Sequence, residues 1–101
     1  MKIVYTDFAT HSLIENMKFL LNQGASAERI LEIEQRIYDK VALLIHNPYL
    51  GQVEEYISGN AHRRLVEGNY KIIYTFNDNT IFITDIFDAR QNPSKLNRSV
   101  T

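Results

Sequence analysis

A chain of 101 residues with 45% hydrophobic and 23% charged side chains can bury a core of its own, which excludes a disordered or low-complexity chain and predicts one domain over residues 1–101. The absence of cysteine excludes a disulfide framework and thiolate chemistry, and makes a reducing cytoplasm the expected compartment. A net charge of −1 argues against autonomous nucleic-acid binding, yet the charge is unevenly placed: residues 1–60 hold five bases and eight acids, residues 61–101 six bases and four acids.

The N-terminal MKIVYTDF has no apolar signal core, and no run approaches the roughly 20 apolar residues of a membrane span. Lys2–Thr6 alternates and predicts a strand, after which Thr6 or Asp7 can accept the first backbone N–H groups of a helix. Ala9, Leu13, Met17, Leu20 and Leu21 recur at helical spacing, leaving His11, Glu15, Asn16 and Lys18 on the wet side, and Gly24 stands where a left-handed residue ends the helix. Ser26 caps a second helix with Glu28 in its first turn. Its buried stripe is Ile30, Ile33, Ile37, Val41, Leu44 and Ile45, Glu32 and Arg36 have ion-pair spacing, and Pro48 stops it. Two amphipathic helices joined by so short a link form an antiparallel hairpin that needs a sheet as cover.

Residues 47–60 read as a connector broken by Pro48, Gly51 and Gly59, with one turn or a short strand within Val53–Ile57. Three strands follow: Arg63–Glu67, Tyr70–Phe76 and Thr80–Phe87, separated by Gly68-Asn69 and Asn77-Asp78-Asn79. Gly, Asn and Asp suit the positive φ of tight hairpin turns. Tyr70, Ile72, Tyr74 and Phe76 share one face of their strand, while Lys71, Ile73 and Thr75 share the other. The last strand is apolar on both faces for most of its length, as a central strand is. From Asp88 the polarity jumps, and a tail with one turn near Pro93 is expected. The fold expected is α+β, of order βααβββ, with the helical hairpin on one face of a small, mainly antiparallel curved sheet.

Little of the usual site chemistry is spelled out. His11, His46 and His62 lack the spacing of a helical metal site, no serine sits in a Gly-x-Ser-x-Gly elbow, and no Gly-rich phosphate loop occurs, so neither metal nor cofactor is expected. Glu54-Glu55 falls in the polar connector and reads as solvated. Cations are more suggestive. Arg64 and Lys71, on one face of adjacent strands, would focus positive charge, and Arg90, past the next strand, would reach the same area. Guanidinium groups clamp phosphates and stabilise phosphodiester cleavage, for which His62 is the local proton-transfer candidate. The alternative is a sheet face whose cations pair with Glu67, Asp85 and Asp88.

Three segments carry a family resemblance: Asn47-Pro48-x-x-Gly51, then Arg64 to Tyr74 (RLVEGNYKIIY), then Ile83-x-x-Ile86-Phe87-Asp88-Ala89-Arg90-Gln91-Asn92-Pro93-x-x-Leu96. With the order of elements, they resemble the RelE/ParE superfamily of type II toxin–antitoxin toxins across nearly the whole chain. The resemblance implies a toxin that inhibits growth and a cognate antitoxin protein whose C-terminal segment wraps it in a hetero-oligomer. It offers two targets: DNA gyrase for ParE-like toxins, ribosome-bound mRNA for RelE-like endoribonucleases. Carried over by position, the RelE-like catalytic set falls on His62, Arg64, Lys71 and Arg90, while Arg63, Arg64, Lys71 and Arg90 form a partner-binding set. The tyrosine that the RelE-like branch places near residue 96 is replaced by Leu96, and His62 stands in for its usual base. Those departures favour the ParE-like branch. A non-toxic partner-binding module is the third alternative.

Overall fold

The computed structural model describes residues 1–54 and 61–90. The chain runs β1 (Lys2–Tyr5), α1 (Asp7–Asn22), α2 (Ala27–Ala42), a 3₁₀ turn at Leu43–Ile45, β2 (Gln52–Val53), β3 (Arg63–Glu67), β4 (Tyr70–Phe76) and β5 (Thr80–Asp88). The strands form one open sheet of order β1-β5-β4-β3-β2, in which only the β1–β5 pair is parallel. The apolar last strand is indeed internal. A two-residue strand at Gln52–Val53 opens the stretch expected to hold one turn or a short strand; the remainder of that stretch from residue 55, and the turn expected near Pro93, lie outside the described residues.

Local chemistry sets the helix limits. Thr6 Oγ1 accepts the Ala9 N–H at 3.1 Å, and Ser26 Oγ accepts the Arg29 N–H at 3.1 Å. Gly24, at φ 95°, turns the chain out of α1 and lets the Ala25 N–H return to the Leu20 carbonyl at 3.0 Å. The β3–β4 turn uses Gly68 at φ 59°. The β4–β5 turn is built differently from expectation: no described residue other than glycine has positive φ. Asn77 Oδ1 instead accepts the Asn79 and Thr80 N–H groups, both at 2.9 Å, so the side chain replaces a backbone acceptor.

One face of the sheet meets the hairpin. Ala9, Leu13, Met17, Ile37, Val41 and Leu44 pack on Leu65, Tyr70, Ile72, Tyr74, Ile81, Ile83 and Ile86. Leu21 and Ile45 have core spacing but are 55% and 41% exposed, because the stripe facing the sheet is narrower than the apolar spacing suggests. Asn16 makes the opposite correction. It is buried, and its Nδ2 donates to the Ser12 carbonyl at 2.8 Å and the Ile86 carbonyl at 3.1 Å, tying α1 to β5.

A bulge re-phases β5. Tyr74 pairs with Ile83 but Ile73 pairs with Asp85, leaving Thr84 as the extra residue. Ile86 therefore joins Ile83 on the helix side, and Asp85 leaves the face that simple alternation assigns it. Asp88 is the last residue of β5 and pairs with Tyr70, so the strand runs one residue into the expected tail.

Candidate functional site

The cross-strand register decides which cations meet. Gln52 pairs with Arg64, Arg64 with Ile73, Val66 with Lys71, and Lys71 with Phe87. Side chains of paired residues share a face, so Gln52, Arg64 and Lys71 lie on the face away from the helices. That face is closed over Ile73, Asp85 and Phe87, which are buried, and open at its β3 margin, where Val66 is 51% exposed.

Arg64 is committed within the fold. Its Nη2 donates to Gln52 Oε1 at 2.8 Å, and its Nη1 lies 3.2 Å from Glu54 Oε2. The Glu54 side chain is fully buried, which corrects its reading as a solvated connector carboxylate. Burial of a carboxylate is costly unless it is paired, and the short β2 strand brings it to the guanidinium. Beside it, His62 is also buried, and its carbonyl accepts the Glu54 N–H at 2.8 Å. Lys71 makes no ion pair among the described residues.

Arg63 points the other way. Its Nη1 donates to the Gly51 carbonyl at 2.7 Å, and its guanidinium lies 5.1 Å from the Tyr49 ring centroid. Tyr49 in turn meets Phe76 edge-on, at 5.0 Å between centroids. Tyr49 is 66% exposed, so this cation–aromatic corner is open to a partner.

Arg90 does not reach Arg64 and Lys71. It follows Asp88 on the helix side, where Nε and Nη2 donate to both Asp88 oxygens, the shortest contact being 2.6 Å. Those hydrogen bonds hold the guanidinium still more firmly protonated than usual. There it shares a cleft of about 260 Å³ with Arg29 and Arg36 of α2, Glu67, and the turn at Gly68-Asn69. Leu20, Ala25, Ile33, Ile37 and Tyr70 supply its apolar lining. Burial raises the Tyr70 hydroxyl pKa, Asp88 adds to the rise, and Arg90 and Arg29 oppose it. The Glu32–Arg36 pair expected from spacing is absent; Glu32 pairs with Arg29 at 3.4 Å, leaving Arg36 exposed at the cleft and without an ion pair among the described residues. Helical spacing gives Arg36 only an ion-pair position with Glu32 and assigns Arg29 no role, and nothing local in the sequence shows that they meet Arg90.

Among the described residues no cluster of three or more His, Cys, Asp or Glu side chains is placed to hold a metal ion, and no helix is long and apolar enough to cross a membrane.

The geometry accompanies a clear kinship. Residues 3–93 match the profile of the ParE toxin of the type II toxin–antitoxin system, parDE. No curated protein matches. The fold is similar to that in a solved structure titled "Chromosomal ParDE TA system from P. aeruginosa", with a TM-score of 0.73 at 20% identity over 87% of this chain and 95% of that chain. With the family profile spanning both helices and the sheet, the chain belongs to the ParE toxin family of the parDE type II toxin–antitoxin system.

Proposed function

We propose that this ParE-family toxin acts on DNA gyrase and is held inactive by a cognate antitoxin protein that binds it as a hetero-oligomer. The antitoxin reading draws on the family and on the ParDE structural neighbour. The gyrase reading rests on one observation: the four residues that would serve mRNA cleavage do not converge on one open site. Arg90 lies on the helix side with Arg29 and Arg36, whereas Arg64 and Lys71 occupy the opposite face. Arg64 is engaged by Glu54 and Gln52, and His62 is buried rather than presented to a substrate. Phosphodiester cleavage needs charge stabilisation and a proton-transfer group converging on one scissile bond.

The test is direct. Purified toxin is added to gyrase, supercoiled plasmid and ATP, and covalently trapped linear DNA is scored after protein digestion. Primer extension on ribosome-bound mRNA runs in parallel. Accumulation of linear DNA with intact mRNA is the expected result. Discrete mRNA breaks that disappear in His62→Ala, with no DNA linearisation, would overturn the gyrase reading.

A further inference from the structure

The Asn47-Pro48-x-x-Gly51 stretch builds a rigid display ahead of β2. Asn47 Oδ1 accepts the Tyr49 N–H at 3.2 Å, and the Asn47 carbonyl accepts the Leu50 N–H at 3.1 Å. The buried Tyr74 hydroxyl holds both Pro48 and Gly51, and Arg63 Nη1 donates to the Gly51 carbonyl. The two residues between these anchors project: Tyr49 is 66% exposed and Leu50 is 45% exposed. An aromatic and an aliphatic side chain thus stand on a turn whose backbone is already fixed, which lowers the entropy cost of binding through them.

Beside Tyr49 lies a hollow of about 400 Å³ lined by Tyr49, Ala61, Arg63, Thr75 and Phe76. Arg63 is the charged member of that lining, and it is partly buried. Its guanidinium donates to the Gly51 and Tyr49 carbonyls, at 2.7 and 3.5 Å. Unlike Arg29, Arg64 and Arg90, it makes no ion pair among the described residues. Carbonyls satisfy N–H groups but do not neutralise a charge, so the hollow favours an anionic side chain.

Shape and charge together choose the occupant. One cation on a chain of net charge −1 is too little for a phosphate backbone, which is bound by several. Two copies of this corner face to face would set Arg63 against Arg63. A projecting tyrosine needs a pocket to enter, and pockets belong to folded partners rather than to an extended segment that wraps. Of the two partners proposed above, that describes the enzyme and not a wrapping antitoxin segment.

Resting on the gyrase reading, we infer that the Tyr49–Arg63–Phe76 corner is the toxin's contact with gyrase. Tyr49 and Leu50 enter an apolar pocket of the enzyme, and a carboxylate at the rim of that pocket enters the hollow to meet Arg63.

The experiment measures binding of the full-length toxin to immobilised gyrase holoenzyme and, separately, to the full-length antitoxin encoded with it. Wild type is compared with Tyr49→Ala, Leu50→Ala and Arg63→Gln, and with Leu31→Ala, which removes a side chain 65% exposed on α2. Melting temperatures check folding, and the two exposed corner positions carry the test even where Arg63→Gln loosens the turn. Tyr49→Ala and Leu50→Ala are expected to weaken gyrase binding about tenfold or more, with Leu31→Ala within about threefold. Arg63→Gln is expected to flatten the salt dependence of that binding. Antitoxin affinity is expected to stay within about threefold in every variant. Unchanged gyrase binding by Tyr49→Ala and Leu50→Ala, or an equal loss in Leu31→Ala, would overturn the corner while leaving the gyrase reading intact. Lost antitoxin affinity with gyrase affinity unchanged would give the corner to the antitoxin instead. Failure of the wild-type toxin to bind gyrase at all would overturn both the corner and the gyrase reading.

Discussion

The Tyr74 hydroxyl joins the sheet to the connector before β2: it accepts the Gly51 N–H at 2.8 Å and donates to the Pro48 carbonyl at 2.7 Å. Tyr74 is fully buried in the middle of β4, so one phenol fixes a loop more than twenty residues away. It also explains the Asn47-Pro48-x-x-Gly51 motif. A Cβ on Gly51 would lie 2.5 Å from the Arg64 carbonyl oxygen and 2.7 Å from both Tyr74 Cε1 and its hydroxyl.

Gly51→Ala is therefore expected to destabilise the protein by about 1–3 kcal/mol, the usual cost of overpacking. Backbone atoms on one side and a buried ring on the other leave the new methyl no relief. Urea unfolding measures it; an unchanged midpoint would show that β2 can move away from β3.

Tyr74→Phe keeps the ring and removes both hydrogen bonds. The Gly51 N–H would then lose its phenolic acceptor in a buried site, at a cost of about 1–3 kcal/mol. Amide hydrogen exchange at Gly51 should accelerate more than at Ile72, the selective signature of a loosened loop.

Arg64 and Lys71 should separate cleanly. The Arg64 side chain is 27% exposed and reaches a wholly buried carboxylate, so Arg64→Ala is expected to cost about 1.5–3 kcal/mol, the range for a hydrogen bond to a charged group. Lys71→Ala should leave the unfolding midpoint almost unchanged, since Lys71 has no ion pair among the described residues. Any loss of toxicity in Arg64→Ala thus has to be read beside its stability, whereas one in Lys71→Ala does not. Equal midpoints for the two variants would contradict the structural role of Arg64.

Ile37 and Ile72 are both fully buried, on α2 and β4. Replacing either with Ala is expected to cost about 2–5 kcal/mol, with the larger value where the cavity collapses less. Equilibrium unfolding of the two variants tests the packing of hairpin on sheet, and a cost near zero for either would refute it.

Tyr5 carries a pH signature. Burial, and then the neighbouring Tyr38, push its hydroxyl from 10.0 up to about 12. A raised pKa in the folded state means the unfolded chain loses this proton first, so the contribution to stability is intact below about pH 10 and is lost as pH rises towards 12. Phenolate absorbance should show a late-titrating tyrosine that is missing in Tyr5→Phe, and the melting temperature of that variant should fall less steeply above pH 10. Identical alkaline titrations for the two proteins would disprove the shift.

Helix and strand positions were legible in the sequence because their causes are local. Ser26, Thr6, Gly24 and Gly68-Asn69 place the ends of elements, and periods of 3.6 and 2 separate helix from strand. The two faces of β4 followed from alternation alone, as did the placing of Arg64 with Lys71 on one face once their strands paired. Tertiary structure decided what depends on phase and distance. The bulge at Thr84 moves Asp85 and Ile86 between faces, an event no period encodes. The partner of Arg64 is Glu54, ten residues upstream, and Asn16 is buried where its amide donates to the Ile86 carbonyl, 70 residues away. Arg90 left the expected basic face because the chain turns to the helix side after Asp88, where α2 brings Arg29 and Arg36. Side-chain pattern fixes which residues share a face of one element; only packing of the elements against each other fixes which charges share a site.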